Sequence, residues 1–252
     1  MAHLLELKDI ALNYHTLKDE TKAIENISLF VDSKEFISIV GPSGCGKTTL
    51  LSIIAGILSP SAGTILLDGS PLSENKNKIG YMFQRDHLFE WRTVLENVKL
   101  GLEITHNKDP ANKEYLDELI EKYGLKDFVN KYPHHLSGGM RQRVALIRTL
   151  VLRPEILLLD EPFGALDYQT RKTVIQDVSS IIAREEKTSI LVTHDLGEAV
   201  SLSDRIIVLS KRPSIVKATF KTNLRKIASI EERKRTDEYK ITVDKIWEEL
   251  QD

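Results

Sequence analysis

The apolar positions of the chain fall into short blocks with two different periods. In the first third, LLELKDIAL, ISLFV, EFISIV and GTILLDG are runs of β-branched and aliphatic residues bounded by Asn, Asp, Gly and Ser, which predicts strands. EFISIV stops at Gly41. The uncharged run TTLLSIIAGIL that follows suits a buried helix closed by the SPSAG turn. From about Arg85 to Leu152 the spacing turns helical. Leu116, Leu119, Ile120 and Tyr123 recur at helical intervals within NKDPANKEYLDELIEKYG, and Met140, Val144, Ile147 and Val151 share one face of a helix that Arg153-Pro154 stops. This stretch is a candidate second subdomain. Two buried-strand signals, EILLLD and TSILVTH, then flank the charged helical segment Thr170 to Lys187, and DLGEAVSLSD and RIIVLS continue the alternation. That order predicts a parallel sheet with crossover helices. Beyond Pro213 both charge signs are abundant, and Ile241, Trp247 and Leu250 predict a short helix packed on the body.

Composition narrows the classes open to such a chain. Its 252 residues are 41% hydrophobic and 29% charged, enough apolar material for a sizeable core, which excludes intrinsic disorder for most of the length. A formal net charge of -2 and a pI near 6.4 offer no electrostatic case for nucleic acid. The single cysteine, Cys45, cannot form an internal disulfide, so a reducing compartment is expected. Glu6, Lys8 and Asp9 stand where a signal peptide needs its apolar region, and no export signal is visible. The longest uncharged stretch, Thr48 to Leu67, is interrupted by Pro60 and Gly63 and reads as helix, turn and strand rather than a membrane span.

Three motifs carry chemistry. Gly41-Pro-Ser-Gly-Cys-Gly-Lys47-Thr48 fits GxxxxGK[ST] between an apolar strand and a helix, where that motif cradles phosphate. Its glycines let successive N–H groups turn inward around phosphate oxygens. Lys47 can reach the β and γ phosphates, and the Thr48 hydroxyl can ligate Mg²⁺. Ile156-Leu-Leu-Leu-Asp160-Glu161 places two carboxylates where a buried strand emerges, Asp160 as the metal-side candidate and Glu161 as the base that activates water. Leu136-Ser-Gly-Gly-Met140 opens the amphipathic helix and presents a hydroxyl with free N–H groups to an anion, although in isolation it is an ordinary N-cap.

Taken together, the order P-loop, Gln84, LSGGM, ILLLDE, Asp167, His194 resembles the ATP-binding cassette (ABC) family over residues 2–213. The resemblance implies an α/β fold: a P-loop NTPase (RecA-like) core with an N-terminal antiparallel β subdomain, at residues 1–84 and 153–213. An inserted helical subdomain would span 85–152, and a charged helical tail 214–252. It implies ATP and Mg²⁺ held by Gly41, Pro42, Ser43, Gly44, Cys45, Gly46, Lys47, Thr48 and Thr49, with Cys45 a small filler. Tyr14 would stack on adenine, and Thr48, Gln84 and Asp160 would lie on the metal. In that family two cassettes enclose two ATP molecules head to tail, so Ser137, Gly138 and Gly139 would meet the γ-phosphate bound by the partner. Asp167 would join the two sites. Glu161 would polarise water, His194 would touch the γ-phosphate and help orient Glu161, and Gln84 and Lys47 complete the catalytic set.

Within the family, Met140-Arg-Gln-Arg and QRDHLFEWRTVLENV are similar to importer cassettes of the nitrate, sulfonate and taurine group. That likeness implies a peripheral ATPase subunit at the cytoplasmic face of the membrane, partnered by a second cassette, by separate permease subunits contacting 85–98, and indirectly by a solute-binding protein. Phe89, Trp91 and Val94 would anchor the permease helix, or else belong to the helical subdomain's core. Two positions depart from the family pattern: Lys34-Glu35 replaces a common Gly-Glu turn, and Met140 a frequent glutamine. A soluble cassette protein without a membrane partner is the alternative, although no sustained heptads separate Thr48 from Leu136 as they do in repair-type members. A P-loop kinase would need neither LSGGM nor Asp167.

Overall fold

The computed structural model describes residues 3–15, 20–106 and 109–251. The predicted first domain and the segment NKDPANKEYLDELIEKYG therefore each include a few positions (1–2 and 16–19; 107–108) that lie outside the described residues.

The first strands form as the apolar runs predict, but longer. Strands β1 (Leu5–His15) and β2 (Glu20–Val31) pair antiparallel, with register shifts between Leu7 and Asn13, and β1 pairs on its other side with β4 (Ala62–Leu67), which carries the short β5 (Ser70–Pro71). The uniformly apolar β3 (Phe36–Val40) is buried at every position and leads into α1 (Lys47–Ile54). A central strand covered on both faces reads as a continuous apolar run. The same holds for β7 (Ile156–Asp160), β8 (Thr188–Val192) and β9 (Arg205–Leu209), which join β3 and β6 (Ile79–Met82) in a parallel array.

The segment 85–152 is helical, with α2 (Val94–Ile104), α3 (Pro110–Lys122) and α4 (Gly138–Leu150). Thr93 and Glu96 form a reciprocal capping box that starts α2. Leu116, Leu119, Ile120 and Tyr123 are buried, as are Val144, Ile147 and Val151, while Met140 packs half-buried at the edge of the same core. Helices α5 (Tyr168–Arg184) and α6 (Leu196–Leu202) follow β7 and β8.

Two expectations about the C-terminal segment are corrected. The predicted helical tail begins as a strand, β10 (Ser214–Lys221), which pairs antiparallel with β9 and parallel with β2 and so closes one sheet in the order β5-β4-β1-β2-β10-β9-β3-β8-β7-β6. Its inner positions are Ser214, Val216, Ala218 and Phe220, a period-2 pattern masked by the lysines between them. After it come α7 (Ile230–Arg235) and α8 (Asp237–Gln251). Helix α8 docks through Tyr239, Val243, Ile246 and Leu250, whereas Ile241 and Trp247 face solvent. The departure at Lys34 also has a physical consequence. This residue holds φ 64, the left-handed region glycine enters freely, and its N–H donates to Thr188 Oγ1 at 2.8 Å. The neighbouring Glu35 accepts from the buried Arg205 at 2.9 Å.

Candidate functional site

The ends of β3, β7 and β8 converge on one cleft of about 540 Å³, lined by Ser43, Gly44, Gly46, Lys47, Thr48, Thr49, Glu161 and His194. Its floor is the loop between β3 and α1. Gly44 and Gly46 take φ 73 and 108, so the chain turns there as no L side chain readily allows, and the N-terminus of α1 faces the cleft. Lys47 is buried, and its Nζ donates to the carbonyls of Gly41 and Pro42 at 2.8 and 2.9 Å. The ammonium is thereby folded into its own loop, a cation already placed for an anion. Gly41 and Pro42 contribute those carbonyls and do not line the cleft. Cys45 turns its side chain into the core, where burial pushes the thiol's pKa up. Tyr14, near the end of β1, is half exposed, with its hydroxyl 3.4 Å from Thr49 Oγ1.

Opposite the loop, Asp160 and Glu161 leave β7 in different environments. Asp160 is buried, accepting from Thr48 Oγ1 and from Tyr81 Oη, each at 3.0 Å. Burial raises its carboxyl above the ordinary value, against those two hydrogen bonds, and raises the Tyr81 hydroxyl as well. A hydroxyl and a carboxylate converging at a phosphate cradle are hard oxygen donors, a set that fits Mg²⁺ shared with phosphate oxygens. A bound cation would also reverse the cost of burying the carboxylate. Glu161 holds φ 44 and lies partly open to the cleft. Its Oε2 sits 3.0 Å from His194 Nδ1 and 3.5 Å from Gln84 Nε2, so the residues after β7, β8 and β6 meet at one carboxylate oxygen.

Other site candidates stand apart from this cleft. Ser137 caps α4, accepting from Met140 N at 3.3 Å, and with Gly138 and Gly139 it is absent from the cleft lining. A Cβ on Gly139 would lie 2.7 Å from a Val174 methyl, and one on Gly138 would lie 3.1 Å from Leu166, so both glycines permit a close approach to α5 and the loop before it. Asp167 caps α5 by accepting from Gln169 N and Thr170 N, each at 3.1 Å, and hydrogen bonding from the Thr170 side chain, together with those backbone bonds, holds its pKa below the usual carboxylate range. Of the three proposed anchors in 85–98, Trp91 is 73% exposed and Phe89 half-buried against it, but Val94, the first residue of α2, is wholly buried and belongs to the core.

Several supporting residues had no motif to betray them. Tyr81 holds Asp160 through strand register, because β6 lies beside β7. Arg148 of α4 donates to the carbonyls of Asp86 and His87, both at 2.7 Å, and Arg141 pairs with the Asp86 carboxylate at 3.2 Å. These arginines fasten the segment after Gln84 to the helix that Ser137 caps. Arg171 donates to the carbonyls of Gly164 and Leu166, and Glu198 accepts from Thr193 Oγ1 at 2.8 Å. An Arg-rich helix face in the sequence signals such a role only when its partner loop is known.

Comparison with known proteins agrees with this geometry. The sequence pattern of the ABC transporter family matches residues 24–164. An uncharacterized ABC transporter ATP-binding protein of Bacillus subtilis, YtlC, is 41% identical over 247 residues, covering 98% of this chain and 95% of that protein. The aliphatic sulfonates import ATP-binding protein SsuB of Bacillus licheniformis is 47% identical over 195 residues, 77% of this chain and 75% of that one. Among solved structures, the dimeric post-hydrolysis state of the ATP-binding cassette MJ0796 bound to ADP and Pi superposes with a TM-score of 0.73. That match has 33% identity and covers 86% of this chain and 98% of the other.

Proposed function

Because the chain belongs to the ABC transporter family and is an ATPase, we propose that it is the ATP-hydrolysing subunit of an importer for small solutes of the nitrate, sulfonate or taurine type. In this reading two cassettes close on ATP and drive separate membrane subunits. The observation that carries it is the division of the site. The phosphate cradle, Glu161 and His194 line one cleft, with Asp160 buried behind Thr48, while Ser137, Gly138 and Gly139 lie at the start of α4 and line no part of it. A second cassette supplies them.

The chemistry follows from the residues present. Lys47 Nζ exchanges the carbonyls of Gly41 and Pro42 for phosphate oxygens as ATP enters, and the N–H groups from Ser43 to Thr49 hold the remaining charge. The Thr48, Gln84 and Asp160 oxygens would hold Mg²⁺, which supplies charge neutralisation on the phosphates. Glu161 Oε2 accepts the proton of the water that attacks the γ-phosphorus in line, and His194 Nδ1 fixes the direction of that carboxylate. Tyr14 offers a π face to adenine, and the partner's signature residues close over the γ-phosphate.

The importer assignment is supported by the family likeness of residues 84–98 and by the exposed Trp91 beside Phe89, an apolar pair at the surface suited to a permease helix. Among the described residues no helix is long and apolar enough to cross a membrane. Affinity purification of tagged Glu161→Gln protein from native membranes in mild detergent with MgATP tests this reading. Recovery of an integral membrane subunit is expected. Recovery of soluble partners alone, with the chain absent from membranes, would overturn it in favour of a soluble cassette protein.

A further inference from the structure

The direction of Glu161 depends on His194, whose side chain is 61% exposed and sits on the loop between β8 and α6. That loop is tied to α6 by a closed ring of hydrogen bonds. Thr193 Oγ1 donates to Glu198 Oε2 at 2.8 Å, Asp195 N donates to Thr193 Oγ1 at 3.1 Å, and Glu198 N donates to Asp195 Oδ1 at 3.0 Å. Wherever α6 moves, the loop bearing His194 moves with it.

Helix α6 is itself gripped at both ends by the C-terminal segment. At its last turn, Arg233 of α7 donates from Nη1 to Ser201 O at 2.8 Å and from Nε to Ile227 O at 2.7 Å, a buried cation on the carbonyl end of a helix. At its first turn, Tyr239 of α8 covers Gly197 so closely that a Cβ there would lie 2.8 Å from Tyr239 Oη and 3.0 Å from Asp195 Oδ1. Burial and then the Asp195 charge raise the Tyr239 hydroxyl, in keeping with its place beside the loop. Tyr239 is fixed in turn, because its N–H donates to Thr236 Oγ1 at 3.2 Å and its ring packs on the cluster of Val40, Ala199, Val200 and Ile246.

We propose that α7 and α8 act as a clamp on α6 that sets His194 against Glu161, with Tyr239 and Arg233 as positioning residues for hydrolysis. No residue of α7 or α8 lines the phosphate cleft, so a change there would alter turnover through α6 without touching nucleotide. The inference rests on the roles given to His194 and Glu161 above.

The test compares kcat and KM for MgATP, with melting temperature as the folding control, in the full-length wild type and its G197A, Y239F, G197A/Y239F and H194A variants. A sub-ångström shift of a positioning element costs on the order of tenfold in rate, so G197A is expected to lower kcat by about that factor with KM nearly constant. Y239F lowers kcat less, because the ring stays packed. The double variant regains part of the loss, because the hydroxyl 2.8 Å from the new methyl is gone while the Asp195 Oδ1 contact at 3.0 Å stays. Wild-type kcat in G197A, or a loss that Y239F leaves undiminished, overturns the clamp. Should G197A melt below the assay temperature, Arg233→Lys tests the other end by the same split of kcat from KM. Normal turnover in H194A would overturn the site reading itself, and with it the clamp; loss in H194A beside an unaffected G197A overturns the clamp alone.

Discussion

Glu198→Gln isolates the cost of a buried charge beside the loop that carries His194. Glu198 is 5% exposed, and its carboxyl is pushed up to about 6 from an ordinary 4.5 by burial, with a smaller push from Asp195, against hydrogen bonding from Thr193 and the charges of Arg171 and His194. Below pH 4.5 the group is protonated whether the chain is folded or not, and it costs nothing. Above pH 6 it is ionised in both states, and the folded state, with the carboxyl raised from 4.5 to about 6, bears a penalty of about 2 kcal/mol. The wild type therefore loses this stability as pH rises from 4.5 to 6. Glutamine keeps an oxygen to accept from Thr193 Oγ1 and never ionises. At pH 8 the variant should be more stable by about 2 kcal/mol, or about 4–8 °C in melting temperature for a chain of this size. Near pH 5 the gain should fall below about 1 kcal/mol. Thermal melts of both proteins from pH 4.5 to 8 read the difference, and any constant offset from the amide cancels across the series. A difference that stays flat with pH would show that Glu198 bears no such burial penalty.

Two further outcomes follow from contacts already described. Arg148→Met removes both donations to the Asp86 and His87 carbonyls and should destabilise the chain by about 2–3 kcal/mol in urea unfolding, as expected when charged hydrogen bonds to a partly buried loop are lost. A change under about 0.5 kcal/mol, the range of ordinary surface substitutions, would contradict this. Lys34→Gly relieves a left-handed φ and gives up an exposed ion pair with Glu186. Because glycine's extra unfolded-state entropy offsets part of the relief, the variant should be neutral to about 1 kcal/mol more stable by the same assay; a loss of stability would show that the ion pair outweighs the backbone.

Much of this architecture is legible in the sequence, and the reason is periodicity. FISIV, ILLLD and TSILV read as buried strands because both faces are covered, so the positions on the two faces are almost equally apolar and the run is too short for a helix. The phosphate loop is legible because its glycines and Lys47 have one chemistry at that spacing. What fails to read is long-range. In SIVKATFK the outward Lys217 and Lys221 hide the inner stripe, and only the open edges of β2 and β9 make it a strand. Trp247 draws attention by its size, but Ile246 is the residue that docks, one step around α8. Val94 is the first residue of a helix whose Thr93–Glu96 capping box already marks the boundary, so its burial follows from the entry angle of α2. The grips of Tyr81, Arg148 and Tyr239 join segments distant in sequence, and no local pattern announces them.

In the function proposed above, one ATP site is built from two cassettes, with Glu161 as the base. Light scattering and ATP turnover on the Glu161→Gln chain, with and without MgATP, test it most directly. The variant is expected to bind ATP, lose turnover, and shift to the mass of two chains only when nucleotide and magnesium are both present. A variant that hydrolyses ATP at the wild-type rate, or that stays a single chain with ATP bound, would contradict it.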